Sequence, residues 1–335
     1  MIVRGRIPLA GVGVMVLGAS LGGCSSAPAG PQPWAAATVV AASVDIPDDP
    51  AAVALLRAAA RSAEQTSFDG VALWSPSDGS APLRLIVVHR PGQGTVTALE
   101  APTGSDLAHG QFAPDAPAAG SPPSALPFLY LLVRRFGVVM AGSDTLMGRE
   151  TDVVEARDER GDPEGRFWID RGTGLMVKRQ LIDTTSRQVR GMEFVSLHVP
   201  AAAEAPAGAT VTATPGPRLD DVAVARLRTE GWVCPQGLPG GLDFVEAHEA
   251  DAGGVQLVYS DGLDVVSLFV QRGRLDRDAM PGMVVAPFAA GAVLRSASGA
   301  PTWVWQSSGS VLTVMTDAPE SFVERIVGAL PPDQT

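Results

Sequence analysis

The stretch from Gly165 to Leu197, GRFWIDRGTGLMVKRQLIDTTSRQVRGMEFVSL, constrains the fold more than any other part of this 335-residue chain. An aromatic strand (Phe167, Trp168, Ile169) runs into Asp170 and a Thr173-Gly174 turn. A second strand covers Leu175 to Leu181, another turn follows, and a third strand ends at Phe194-Val195-Ser196-Leu197. Apolar and polar residues alternate along each strand, so the unit is an antiparallel β-meander with one core-facing side. Composition agrees: 18% charged residues, 37 glycines and 28 prolines suit strand-rich domains with flexible connectors better than a helical bundle. The length leaves room for two ordinary domains, each with its own core.

A net charge of −11 repels phosphate backbones and offers no basic patch to anionic headgroups. Nucleic acid is therefore excluded as an expected partner, whereas a basic segment of another protein is compatible with the charge.

The first 23 residues read as an address. Arg4 and Arg6 precede an uncharged stretch, Ile7 to Ser20, too short for a span of about 20 residues and right for a secretory signal. It ends in Leu21-Gly22-Gly23-Cys24, the pattern of a bacterial lipoprotein processing site. The implied chemistry is diacylglycerol on the Cys24 sulfur and cleavage before it. The chain is then expected outside the cytoplasm, attached to the cell membrane by that lipid. An ordinary secretory signal with an incidental cysteine is the alternative. Residues 24–49 are rich in Ala, Pro and Ser and read as a tether, reaching roughly 25–30 Å as a flexible coil. With Cys24 acylated, Cys234 has no cysteine to pair with, and its setting in Trp232-Val233-Cys234-Pro235 predicts a buried, inert thiol.

The first folded domain is expected over 50–198. Asp49 caps a helix that starts at Pro50 and carries Val53, Leu55, Leu56, Ala59, Ala60 and Ala63 to about Gln65. Strands are predicted at 67–74, 83–90, 94–100, 136–141 and 151–156, ahead of the meander. Residues 101–127 read as a long loop, and the apolar run Phe128 to Val133 is either a short helix or a strand. Residues 199–217 are a linker. The second domain, 218–331, is expected to open with a helix over 219–229 and close with one over 319–329. Between them the pattern predicts strands at 242–248, 255–259, 265–270, 284–289, 302–306 and 311–316.

No catalytic constellation is visible. His89, His109, His198 and His248 have no metal-ligand spacing, and no cysteine pair supports them. Asp48-Asp49 and Asp220-Asp221 sit at helix starts, where carboxylates cap free amides, and Asp276/Asp278 fall in a turn. There is no G-x-S-x-G elbow, and Ser260-Asp261-Gly262 reads as a hairpin turn. The expectation is a protein that is not an enzyme and needs neither metal nor cofactor. The aromatics Trp74, Trp168, Phe194, Trp303 and Trp305 all fall on predicted strands. They either line a pocket or partner surface, or pack as core. Trp303 and Trp305 share one strand face and would be a partner anchor if exposed, or lie under the last helix if not.

Several of these pieces carry a resemblance. Phe68 and Gly70 in the first strand, His89-Arg90 closing the second, Gly148-Arg149 before a later strand, and the 165–197 meander resemble the LolA-like lipoprotein superfamily. Val71 stands where that pattern commonly has threonine. The hairpin Val255 to Val270 is similar to one in the C-terminal domain of the MucB/RseB branch, the sigma-E factor regulatory proteins. The resemblance implies an α+β fold: a LolA-like open antiparallel β-barrel, its curved sheet wrapped on helices, plus a smaller C-terminal α+β domain. It also implies binding to the extracytoplasmic segment of a membrane anti-sigma factor. Protecting that segment from proteolysis would keep an extracytoplasmic-function sigma factor silent until envelope stress. The alternative is a lipid-binding or lipid-carrying envelope lipoprotein of the same fold with no sigma partner; the second domain favours the regulator.

Overall fold

A computed structural model describes residues 47–77, 79–92, 94–99, 112–113, 126, 128–183, 186–200, 216–250, 253–278, 280, 282–296 and 301–333. The expected signal segment, Cys24, nearly all of the tether, most of the 101–127 loop and the middle of the linker lie outside them.

The first domain starts with α1 (Pro50–Gln65), whose N-cap Asp49 accepts the Ala51 amide at 2.8 Å. Its apolar stripe of Ala52, Val53, Leu56 and Ala59 is buried. The strands β1 (Phe68–Ser75), β2 (Leu83–Arg90), β3 (Gly94–Leu99) and β4 (Phe112–Ala113) follow. Then come α2 (Leu129–Arg135), β5 (Gly137–Leu146), β6 (Arg149–Arg157), β7 (Pro163–Asp170), β8 (Met176–Ile182) and β9 (Val189–His198). All nine strands join one antiparallel sheet in the order β4-β3-β2-β1-β9-β8-β7-β6-β5. The sheet curls into a half-barrel of LolA-like α+β type. The apolar run after Phe128 is helical, which resolves the ambiguity left by its length.

The residues that carry the family resemblance turn out to build this sheet. β1 pairs β9 across the middle, and a Cβ on Gly70 would lie 2.2 Å from the Ser196 carbonyl oxygen, so only glycine permits the approach. Phe68 stacks on His89 with centroids 5.0 Å apart and meets Phe194 edge-on. Arg90 donates from Nη1 to the Phe68 and His89 carbonyls at 3.2 and 2.7 Å. In the β7–β8 turn Asp170 Oδ2 accepts from Thr173 Oγ1 at 2.7 Å and Arg149 Nη1 at 3.0 Å, while Gly174 takes φ +72°. The Gly-Arg step and the Asp-x-x-Thr-Gly turn are thus two ends of one contact.

The second domain contains β10 (Arg218–Leu219), α3 (Asp221–Thr229), β11 (Gly237–Leu238), β12 (Leu242–Ala250), β13 (Gly254–Ser260) and β14 (Val265–Arg272). It ends with β15 (Met283–Phe288), β16 (Gly291–Ser296), β17 (Thr302–Ser307), β18 (Ser310–Met315) and α4 (Glu320–Ala329). The sheet order is β10-β12-β13-β14-β18-β17-β16-β15, with β11 on β12. Two expectations are corrected here. The first helix starts at Asp221 rather than 219, because Asp220 caps it through the Ala223 amide and Leu219 belongs to β10. β16 escaped the sequence pattern: GAVLRS holds only two large apolar residues, and its strand state is imposed by β15 and β17 on either side.

Trp303 and Trp305 are buried in the core cluster with Phe322, Val323, Ile326 and Val327 of α4. Trp305 Nε1 donates to the Leu330 carbonyl at 2.7 Å. The exposed-anchor alternative for these two tryptophans is thereby overturned; packing under the last helix is what the geometry selects.

Candidate functional site: the charged interdomain cleft

The turn between β13 and β14, read from sequence as a plain hairpin, is the piece of the second domain that enters the first. Its shape comes from its own side chains. Ser260 Oγ accepts the Gly262 amide at 2.9 Å and donates to the Asp264 carbonyl at 2.8 Å. Asp261 Oδ1 accepts the Leu263 and Asp264 amides at 2.8 and 2.7 Å. These bonds hold Gly262 at φ +103°, where a Cβ would fall 2.2 Å from the Leu132 amide nitrogen of α2. Leu263 can therefore reach into the first domain's core, joining Leu132, Phe136 and Phe167 with only 8% of its surface exposed. The opposing wall is another glycine, since a Cβ on Gly165 would sit 2.8 Å from Leu263 Cδ2.

Three further contacts flank this insertion. Phe128, the N-cap of α2, and Leu131 within it pack on Val258, with Val245 and Val265 at the edge. Arg134 and Arg135, the basic end of α2, both pair with Asp243 of β12, Arg135 at 3.0 Å. On the other side Arg190 of β9 is 4% exposed, pairs with Asp264 through Nη2, and sets its Nε 3.7 Å from Asp317 Oδ1. Arg179 lies two residues along from Leu181, the register partner of Arg190. Burial lowers its pKa, while Asp317 acts against that shift. The Nε atoms of Arg179 and Arg190 are buried without an acceptor.

Between these contacts lies a cleft of about 180 Å³, lined from the first domain by Glu164, Leu181, Ile182, Asp183 and Arg190. The second domain contributes Asp261, Leu263, Asp264, Phe322 and Arg325, among others. Burial pushes the Asp261 carboxyl up to about 6, against the Leu263 amide and the more distant Arg135 and Arg190 charges. The arrangement can dock and hold charged groups. Among the described residues no group of three His, Cys, Asp or Glu could hold a metal.

The aromatics singled out in the sequence are not in this cleft. Trp168 and Phe194 belong to the buried cluster with Phe68, Leu175 and Met192, and Trp74 is half-buried against it. Trp168 Nε1 donates to Asp144 at 3.0 Å, and the Lys178 ammonium lies 4.9 Å from its ring centroid. Lys178 in turn pairs with Glu193 at 2.7 Å. Trp303 and Trp305 are core residues under α4, in one cluster with Phe322, and do not line the cleft. Of the other candidates, His89 is a core group at 2.8 Å from Thr95 Oγ1, and His248 bonds the Gly216 carbonyl at 3.0 Å. Cys234 is buried, and that burial pushes its thiol up to about 11. What sequence reading missed was Arg190, α2 and the 260–264 tip. The visible signals were the Arg134-Arg135 pair closing an apolar run and a glycine inside the second domain's hairpin turn.

The fold and this interface define a class: a two-domain α+β protein whose LolA-like half-barrel carries a second sheet docked by a hairpin. Among solved structures the chain is similar to MucB, with a TM-score of 0.51 and 18% identity over 86% of this chain and 100% of that one. It has the fold of MucB. A complex of MucA and MucB from Pseudomonas aeruginosa aligns with a TM-score of 0.46 and 19% identity, covering 85% of this chain and 100% of that one. A LolA superfamily protein from Nitrosomonas europaea aligns with 45% of the chain and 94% of its own length, at 8% identity and a TM-score of 0.21. No family model matches the sequence, and no curated protein matches it.

Proposed function

We propose that this protein is an extracytoplasmic regulator, anchored through lipid on Cys24. On this reading it binds the outer segment of a single-pass membrane anti-sigma factor and shields it from proteolysis. The observation that carries the reading is the second domain. The likeness to MucB runs through both domains and over the full length of that chain, whereas a lipid carrier needs only the half-barrel. The sequence resemblance at Phe68, Gly70, His89-Arg90 and the 255–270 hairpin supports it independently.

The mechanism is steric. A bound extended segment loses access to proteases for as long as it is held, and no bond is made or broken. Release requires a signal that binds the free regulator better than the complexed one, because equal affinity for both shifts nothing. The acidic character of the chain suits a partner segment carrying basic residues. Among the described residues no helix is long and apolar enough to cross a membrane.

The test is crosslinking in native membranes followed by affinity purification and mass spectrometry of proteins and lipids together. Recovery of a single-pass membrane protein with a sigma-binding cytoplasmic domain is the expected result. Stoichiometric lipid with no such protein would refute the regulator and leave the lipid-carrying reading.

A further inference from the structure

Asp261 stands apart from the other acidic groups at the domain boundary. Asp264 and Asp317 share Arg190, and Asp243 is held by Arg134 and Arg135. Asp261 makes no ion pair among the described residues; its carboxylate is held by two backbone amides alone. Yet it is 8% exposed, at the tip of a hairpin that would stand in solvent if the domains parted. The other domain closes over the tip that carries it: Leu132 stands against Gly262, Gly165 against Leu263, and Glu164, Leu181 and Arg190 wall the cleft that Asp261 lines.

We propose that docking of the two domains is proton-linked: closing the interface buries the Asp261 carboxyl, so the closed form takes up a proton there and tightens as the medium acidifies. The inference concerns the chain's own closure and stands whether or not the partner proposed above is correct.

The physical reason is the cost of taking an unpaired carboxylate out of water. The charged groups facing Asp261 are Arg135 of α2, Arg190 of β9, Glu164 of β7, Asp183 after β8, its neighbour Asp264, and Asp317 and Arg325 at α4. Arg135 and Arg190 favour the ionised form, but burial outweighs them and pushes the carboxyl up to about 6 in the closed form. In an open form the tip is hydrated and returns toward the ordinary 3.8. The closed form therefore binds more protons. The stabilisation is complete below the open-form value and is lost as pH rises through about 6. Between pH 7.5 and pH 5 the docking equilibrium then shifts about tenfold toward closed. None of the described histidines lines the cleft. His89 is inside the first domain, His248 is on β12 bonded to Gly216, and His198 sits at the end of β9, opposite Asp69 in the strand register.

Hydrogen exchange of the full chain at pH 5 and pH 7.5, corrected for intrinsic rates, reads this directly. Amides of α2 and of residues 260–264 are expected to gain about tenfold protection at the lower pH, while amides of α3, which lines no part of the cleft, do not change. Asp261→Asn keeps the amide-accepting oxygen and removes the proton site, so its α2 protection should be the same at both values. Asp264→Asn weakens docking but should keep the tenfold dependence, which gives a second reading if Asp261→Asn folds poorly. Equal corrected protection of wild-type α2 at the two pH values overturns the proposal. So does a pH dependence that survives in Asp261→Asn or disappears in Asp264→Asn.

Discussion

Replacing Gly262 with alanine should part the two domains without unfolding either. The added Cβ would lie 2.2 and 2.4 Å from the backbone nitrogen and Cα of Leu132, and backbone cannot swing aside as a flexible side chain can. The hairpin must retreat by an ångström or more, and Leu263 goes with it. Withdrawing a leucine from a core costs about 2 kcal/mol, and loosening Phe128 and Leu131 from Val258 adds about 1 kcal/mol. Docking should weaken by on the order of 3 kcal/mol, roughly a hundredfold. Strain from alanine at φ +103° falls on the hairpin whether the domains are docked or not, so it does not enter this sum. Gly253→Ala is the matched control, another positive-φ glycine, just before β13, with nothing within 4 Å of the new methyl group. Small-angle scattering should show Gly262→Ala more extended than wild type, and hydrogen exchange should show lost protection over α2. Gly253→Ala should resemble wild type in both. If Gly262→Ala keeps the wild-type scattering profile and α2 protection, the hairpin tip is not what holds the domains together.

The remaining predictions concern charge, thiol and lipid. Arg190→Ala leaves Asp264 and Asp317 without their shared cation at a mostly buried position and should cost about 3 kcal/mol in urea unfolding; adding Asp264→Asn should recover part of the loss. An Arg190→Ala protein as stable as wild type would remove that pair from the account. Cys234, with its thiol pushed up to about 11, should react with Ellman's reagent at pH 8 only after denaturation; prompt labelling of the native protein would contradict its burial. Cys24→Ser should move the protein from the membrane fraction to the soluble one if lipid is the anchor, as fractionation and immunoblotting would show.

Much of the architecture was legible because it depends on local alternation. The 165–197 meander, the capped helix at Asp49-Pro50 and the closing helix with Phe322, Val323, Ile326 and Val327 on one side all follow from residue spacing and short-range hydrogen bonds. The burial of Cys234 likewise followed from its apolar neighbours. Where spacing was ambiguous the sequence reading stopped. Phe128 to Val133 is too short for periodicity to separate helix from strand, and β16 is a strand mainly because two others flank it.

The site lay beyond that range. Arg190 and Asp264 are 74 residues apart, and Arg134 and Asp243 109 residues apart, on different domains. Nothing in either local pattern says that they meet. The same holds for the tryptophans: two aromatics on one strand face look alike in sequence whether that face meets solvent or a helix, and only α4 packing over Trp303 and Trp305 decides. Sequence by itself determined most of the strands, the aspartate caps and the turns of the meander, because each rests on interactions within a few residues. Tertiary structure alone decided which hairpin is the docking tip, because the surroundings of Asp261 come into being only when a distant helix and sheet close over it.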